Sequence, residues 1–169
     1  MHVIIISGVR SMPKDRIYLD TSVLGAIYDT EDPSRIENTE QLLARLSSDE
    51  GYESFISNIL IEEIERAPSD IKDGLKEKIQ EMNVEIIYES DECIELVEEY
   101  LRQEVIPLKY RDDARHIAVA VFNHIDYIIT WNCKHMANIR NKRLINGINM
   151  MLGYPQIDIV TPMEVIGNE

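Results

Sequence analysis

Asp113-Ala-Arg-His-Ile-Ala-Val-Ala-Val-Phe-Asn-His-Ile-Asp-Tyr-Ile-Ile-Thr-Trp-Asn132 is the stretch that decides the fold. Ala114, Ile117, Ala118 and Val121 recur at i, i+3, i+4 and i+7, the spacing of a helix with a buried face. The helix opens on an acid and runs into a short β-branched segment, Tyr127–Thr130, which ends on a polar corner at Trp131 and Asn132. A carboxylate at the mouth of a buried helix, beside the end of a strand, is a place where a cation could be held.

The same helix–strand grammar extends in both directions. Strands are predicted over Arg16–Asp20, Ser54–Ser57, Val84–Ile87 and Ile157–Val160. Helices are predicted over Thr21–Tyr28, with Thr21 or Ser22 as cap, and from Pro33 to about Leu46, where proline suits the first helical position. Further helices run from an Asn58 cap to Arg66, from Pro68 or Ser69 to about Met82, from Asp91 to Gln103, and from near Asn138 to Leu152. Pro107 and its neighbours read as a loop. Strands alternating with helices imply βαβ units and a mainly parallel sheet. The rhythm starts at Arg16, so residues 1–15 read as an N-terminal extension or edge strand, with Met12 an alternative start, and residues 16–169 as one domain.

Composition fits that scheme. The 169 residues are 44% hydrophobic and 28% charged, an ordinary globular mixture large enough for a sizeable core. No apolar run reaches membrane-spanning length, and His2–Ser7 is too short and lacks the basic leader of a secretory signal. Cys93 and Cys133 fit free thiols in a reducing compartment, so a cytoplasmic location and no membrane partner are expected. The net charge of −14 is unevenly spread: residues 1–105 carry −15 and residues 106–169 carry +1. Such a balance argues against nucleic-acid binding through the whole surface, but not through a local basic patch or a metal ion.

Functional groups in parallel sheets gather at the carboxyl ends of strands. Asp20 ends the first strand, Glu63 lies on the helix after the second, Asp113 opens the helix before the fourth, and Asn132 follows the fourth, just after Thr130. At about 100° per residue, Glu63 and Asp113 border the apolar faces of their helices, whereas Glu62 and Asp112 point away. Each acid alone has a bland reading: a helix cap for Asp20, a solvated charge for Glu63, a helix-dipole partner for Asp113, a turn residue for Asn132. Together they fall at one edge of one sheet. Like charges in one pocket raise each other's pKa, and a divalent cation removes the conflict; oxygen ligands favour Mg²⁺ or Mn²⁺ over zinc.

Four segments resemble the PIN-domain family in order and spacing: Tyr18-Leu-Asp-Thr-Ser-Val-Leu24, Ser57-Asn-Ile-Leu-Ile-Glu-Glu-Ile64, Asp113-Ala-Arg-His-Ile-Ala118 and Ile129-Thr-Trp-Asn132. The resemblance spans about Arg16 to Val165. It implies an α/β fold, a three-layer α/β/α sandwich with a mainly parallel central sheet, and a Mg²⁺- or Mn²⁺-dependent ribonuclease. Many bacterial and archaeal members are toxins of the VapBC toxin–antitoxin type, so a small antitoxin partner and a homodimer are also implied. By motif position Asp20, Glu63 and Asp113 match the metal-binding acids, and Asn132 matches a position that is often Asp. A further Asp common in the family is replaced in Cys133-Lys-His135, which points to weaker or altered activity.

On that basis Asp20 and Asp113 coordinate the cation and Glu63 binds it or its waters. Asn132 orients a ligand or water, and Thr21, Ser22 and Thr130 donate hydrogen bonds around them. Lys134, Arg140, Lys142 and Arg143 after the Asn132 corner, with Lys109, Arg111 and Arg115 beside Asp113, are candidates for holding RNA phosphates; a solvated helix face is the equal alternative. His116 sits one turn after Asp113 and is predicted to point away from the apolar face, a remote candidate for a general base. Cys133, His135 and His116 lack a fourth ligand for zinc. Trp131 either stacks on a base or caps the core. Two rival classes stand beside the nuclease: a PIN-fold module that binds RNA or protein without cleaving, and a phosphohydrolase using Asp20, disfavoured because Ser22 stands where a second Asp is usual.

Overall fold

The computed structural model describes residues 13–48 and 51–167. The expectation of an extra strand in residues 2–7, and of a start at Met12, lies outside the described residues. Among the described residues five strands form one sheet: β1 (Asp15–Leu19), β2 (Tyr52–Ser57), β3 (Val84–Ile87), β4 (Tyr127–Ile129) and β5 (Asp158–Val160). All four pairings are parallel, and the order is β3-β2-β1-β4-β5. The chain therefore builds outward from β1 to β3, then crosses back to lay β4 on the other side of β1. That reversal leaves a crevice between the carboxyl ends of β1 and β4, the usual ligand position in open α/β sheets.

Among the described residues eight α-helices flank the sheet: α1 (Thr21–Gly25), α2 (Pro33–Ser48), α3 (Asn58–Glu65), α4 (Ser69–Glu81), α5 (Asp91–Arg102), α6 (Arg111–Phe122), α7 (Ile139–Met151) and α8 (Pro162–Ile166). Side chains alternate across the strands and give the sheet two buried faces. Tyr18, Phe55, Ile128 and Ile159 face a core completed by α5, α6 and α7. Ile17, Leu19, Ile56 and Ile129 face a second core made with α1, α2, α3 and α4. The result is a three-layer α/β/α sandwich, as the sequence implies.

Helix α6 departs from its expected one-faced character. Ala114 and every residue from His116 to Val121 are buried, because the helix lies between the sheet and α5 and is covered nearly all round. It ends where His124 takes a left-handed backbone, φ 52°. The His124 N–H bonds to the Val121 carbonyl and the Ile125 N–H to the Ala120 carbonyl, a C-terminal cap that turns the chain into β4.

Some local expectations are corrected. Neither Thr21 nor Ser22 caps α1, whose N-cap is Asp20 without a side-chain cap bond. The run expected as one helix over Thr21–Tyr28 finishes as a 3₁₀ turn, Ala26–Tyr28. Asn58 is the first residue of α3 rather than its cap. Its amide donates to Glu62 at 3.0 Å and accepts the Glu89 N–H at 3.0 Å, tying α3 to the segment after β3. Within the loop expected at Pro107, Leu108–Tyr110 forms a 3₁₀ turn that leads into α6. Both cysteines are free, Cys93 buried and Cys133 exposed. Among the described residues no helix is long and apolar enough to cross a membrane.

Candidate functional site

Asp20 is the first residue beyond β1, and only 5% of it is exposed. Its backbone N–H still bonds across to the Ile129 carbonyl of β4 at 3.1 Å, which fixes the side chain over the crevice. The Oδ2 atom accepts from Ser22 Oγ at 2.6 Å and from Thr130 Oγ1 at 2.7 Å. Thr130 is fully buried just past β4, and its hydroxyl also accepts the Asn132 N–H at 2.9 Å. Asn132 Nδ2 donates to Asp113 Oδ2 at 2.9 Å, while its Oδ1 accepts the His135 N–H at 3.1 Å. One hydrogen-bonded path thus links Asp20 to Asp113 through Thr130 and Asn132.

Glu63 approaches from α3. Its Oε2 accepts from the Thr21 hydroxyl and lies 3.0 Å from His116 Nε2. His116 Nε2 is also 3.6 Å from Asp20 Oδ1. On the other side of the ring, Nδ1 meets the Tyr18 hydroxyl, which contacts Ser57 Oγ at 2.6 Å. His116 therefore does not point away from the apolar face as its phase suggested. It is 1% exposed and sits between the carboxylates and the core. Sequence reasoning missed this Ser57–Tyr18–His116 group; the unbroken apolar run Ile117–Phe122 was the signal that α6 has no solvent side at His116.

The electrostatics record the crowding. Burial, and next the charge of Asp20, push the Asp113 carboxyl up to about 6 against the opposing Asn132 hydrogen bond, and Glu63 adds in the same direction. Burial alone would lower the His116 imidazole, but the Glu63 bond and the charges of Asp20, Glu63 and Asp113 outweigh it and hold the group above its ordinary range. Burial holds the Tyr18 hydroxyl far above the usual phenol range. Negative charge is thus concentrated here beyond what the local donors neutralise, and the available ligands are hard carboxylate oxygens, a donor set suited to Mg²⁺ or Mn²⁺. Among the described residues, however, no three His, Cys, Asp or Glu side chains are drawn together tightly enough to form a metal-ligand cluster.

The remaining candidates fall into two groups. Arg115 pairs with Glu62, Glu89 and Asp112. Its side chain is only 18% exposed, so three carboxylates already satisfy its fork. Arg111 likewise pairs with Glu98. By contrast Lys134 and Arg140 are exposed, as is Arg143, with Lys142 half-buried. Ion pairs within the described residues involve none of these four. His135 stacks on Tyr110, ring centroids 3.7 Å apart, and Lys109 lies over the same tyrosine ring at 4.8 Å. Trp131 faces inward: its Nε1–H donates to Thr39 at 2.9 Å and Arg35 covers its ring, so it anchors α2 beneath the site.

The sheet order and the three layers match a PIN-like fold. A similar arrangement occurs in a chain of VapBC2 from Rickettsia felis, solved bound to a DNA fragment from its promoter, at 18% identity over 86% of this chain and 98% of that one, with a TM-score of 0.52. VapC20 from Mycobacterium tuberculosis, a sarcin–ricin-loop-cleaving toxin, is similar at 19% identity over 66% of this chain and 86% of that one, with a TM-score of 0.49. At 18% identity the likeness to the VapBC2 chain is one of fold. No protein-family model matches the chain, and no curated protein sequence matches it.

Proposed function

We propose that this chain is a Mg²⁺- or Mn²⁺-dependent ribonuclease, the toxin of a toxin–antitoxin pair. The observation that carries the reading is the convergence of Asp20, Glu63 and Asp113 at the β1/β4 crevice, where burial and next the charge of Asp20 push Asp113 up to about 6. A site that costs stability when ionised, yet is built from buried and hydrogen-bonded groups, is the expected signature of a functional centre.

Asp20 and Asp113 would hold the cation, with Glu63 reaching it directly or through its waters. When bound, the cation supplies an acidic water as nucleophile and offsets charge accumulating on the phosphodiester. The protein's part is positional. Ser22 and Thr130 occupy Asp20 Oδ2 and leave Oδ1 toward the site. Asn132 orients Asp113, and Thr21 orients Glu63. Lys134, Arg140, Lys142 and Arg143 hold backbone phosphates, whereas Arg115, already committed to three carboxylates, braces the site instead. An antitoxin partner rests on the likeness in fold to a VapBC protein, a homodimer rests on the motif resemblance alone, and the free thiols suit a cytosolic setting.

The test is cleavage of a labelled RNA pool. Wild type with Mn²⁺ or Mg²⁺ is expected to cut RNA, EDTA to stop it, and Asp20→Asn to lower the rate at least ~100-fold, the scale of losing one preorganised charged group. Equal cleavage by wild type and Asp20→Asn contradicts the assignment. A second reading, a PIN-fold module that binds RNA or protein without cutting, draws on His135, stacked on Tyr110 where the family often has an acid. RNA binding with no cation-dependent cleavage would favour it.

A further inference from the structure

We propose that His116 is a positioning residue for the carboxylate site, held from behind by a buried Ser57–Tyr18 pair and fixing Glu63 and Asp20 for cation binding without touching substrate. The inference rests on the reading of Asp20, Glu63 and Asp113 as a cation site.

The hydrogen-bond directions follow from donor arithmetic. Glu63 Oε2 at 3.0 Å and Asp20 Oδ1 at 3.6 Å are carboxylate oxygens on the Nε2 side of the ring, and ionised carboxylates only accept. Nε2 therefore carries the hydrogen. In the neutral ring Nδ1 accepts from the Tyr18 hydroxyl; in the protonated ring, the form the surrounding carboxylates favour, Nδ1 donates to the Tyr18 oxygen. The Tyr18 oxygen and Ser57 Oγ lie 2.6 Å apart and share a hydrogen bond in either form. The relay Ser57–Tyr18–His116–Glu63 therefore stays bonded in both forms, always with Nε2–H toward Glu63. It sets the ring plane, as the partner of a ring nitrogen does in many sites.

Placement makes the relay a gauge between elements. Tyr18 stands on β1, Ser57 ends β2 immediately before α3, His116 is on α6 and Glu63 on α3. Tyr18 and Ser57 are fully buried and His116 is 1% exposed. An imidazole, a phenol and a hydroxyl placed together in a core cost desolvation that aliphatic side chains would avoid. Glu63, at 25% side-chain exposure, has room to swing into water; His116 and Thr21 are the groups that hold it inward.

The experiment is Mn²⁺ binding to the purified full chain, read from the electron paramagnetic resonance of free Mn²⁺. Four variants are compared with wild type: Asp20→Asn, His116→Met, His116→Gln and Tyr18→Phe, each checked by thermal unfolding. Met fills similar volume with no donor, whereas Gln places an amide N–H near the position of Nε2. His116→Met is expected to weaken Mn²⁺ binding about 10-fold, the usual scale for a group that orients a ligand, and His116→Gln to restore it to within about 3-fold of wild type. Tyr18→Phe, which keeps the ring and loses only the hydroxyl, is expected to weaken binding about 5-fold, one hydrogen bond's worth. Wild-type affinity in His116→Met overturns the inference, and so does a His116→Gln protein as weak as His116→Met. Should His116→Met fail to fold, wild-type affinity in Tyr18→Phe overturns it. If wild type binds no Mn²⁺, or Asp20→Asn binds it equally, the cation-site reading itself fails and the inference falls with it.

Discussion

Asp113 concentrates the account in one carboxyl. In an unfolded chain an Asp titrates near 3.9, whereas here burial and the neighbouring acids push it up to about 6. Between about pH 4 and 6 the folded protein therefore keeps a proton that the unfolded chain has released. The stabilising effect of that proton is full below pH 4 and is lost as pH rises through 6. Asp113→Asn keeps an acceptor for Asn132 and removes the charge. In EDTA at pH 8 it is expected to stabilise the protein by about 2 kcal/mol, after allowance for solvent screening, and to change little at pH 4. Thermal unfolding at the two pH values checks this; equal effects at both would remove the charge-crowding argument. Single side chains were both the most and the least legible features of the sequence. Asp20, Glu63, Asp113 and Asn132 were legible because strand ends and helical phase select them. His116 was not: a phase argument assumes a solvent face, and α6 has none there. The ion pairing of Arg115 was not legible for a related reason, since its partners Glu62 and Glu89 are distant in sequence and only the fold brings them near.

Between elements, Arg115 acts as a brace. It reaches from α6 to Glu62 on α3 and to Glu89 after β3, with Asp112 on its own helix. Removing it leaves three facing carboxylates, one of them, Glu89, with only 11% of its side chain exposed. Arg115→Ala is expected to cost about 2–3 kcal/mol of stability, somewhat below a fully buried pair, whereas Arg140→Ala should fall within about 0.5 kcal/mol of wild type. Chemical denaturation separates them, and equal midpoints would mean that the ion pairs contribute nothing net. All five strands and the longer helices were legible from periodicity and turn residues. The boundaries shifted by a residue or two, as helix ends commonly do. Short α8 was overlooked although Thr161-Pro-Met-Glu164 spells a capping box with proline at the first turn; five residues give too little periodicity to register.

Across the whole molecule, the charge is unevenly divided. Residues 1–105 hold all the excess acid, while four cations without an ion pair among the described residues, Lys134, Arg140, Lys142 and Arg143, follow the Asn132 corner. An acidic body with one basic stretch disfavours indiscriminate nucleic-acid binding and leaves a single face for phosphates. If Lys134, Arg140, Lys142 and Arg143 form that face, the double change Arg140→Ala and Arg143→Ala should reduce the slope of log affinity for single-stranded RNA against log salt by about 1.4, two phosphate contacts' worth. An unchanged slope would place the RNA elsewhere. The parallel topology was inferable because helices alternate with strands, but the order β3-β2-β1-β4-β5 was not, since pairing partners are set by the crossover after β3 and not by local pattern. That crossover creates the crevice on which the functional reading depends.

The most direct test is a crystal of the wild-type chain soaked in Mn²⁺ and measured at the manganese absorption edge. An anomalous peak about 2.1 Å from oxygens of both Asp20 and Asp113, absent from crystals of Asp20→Asn, is the predicted result. A crevice without a peak at saturating Mn²⁺, or a peak that persists in Asp20→Asn, would contradict the cation site.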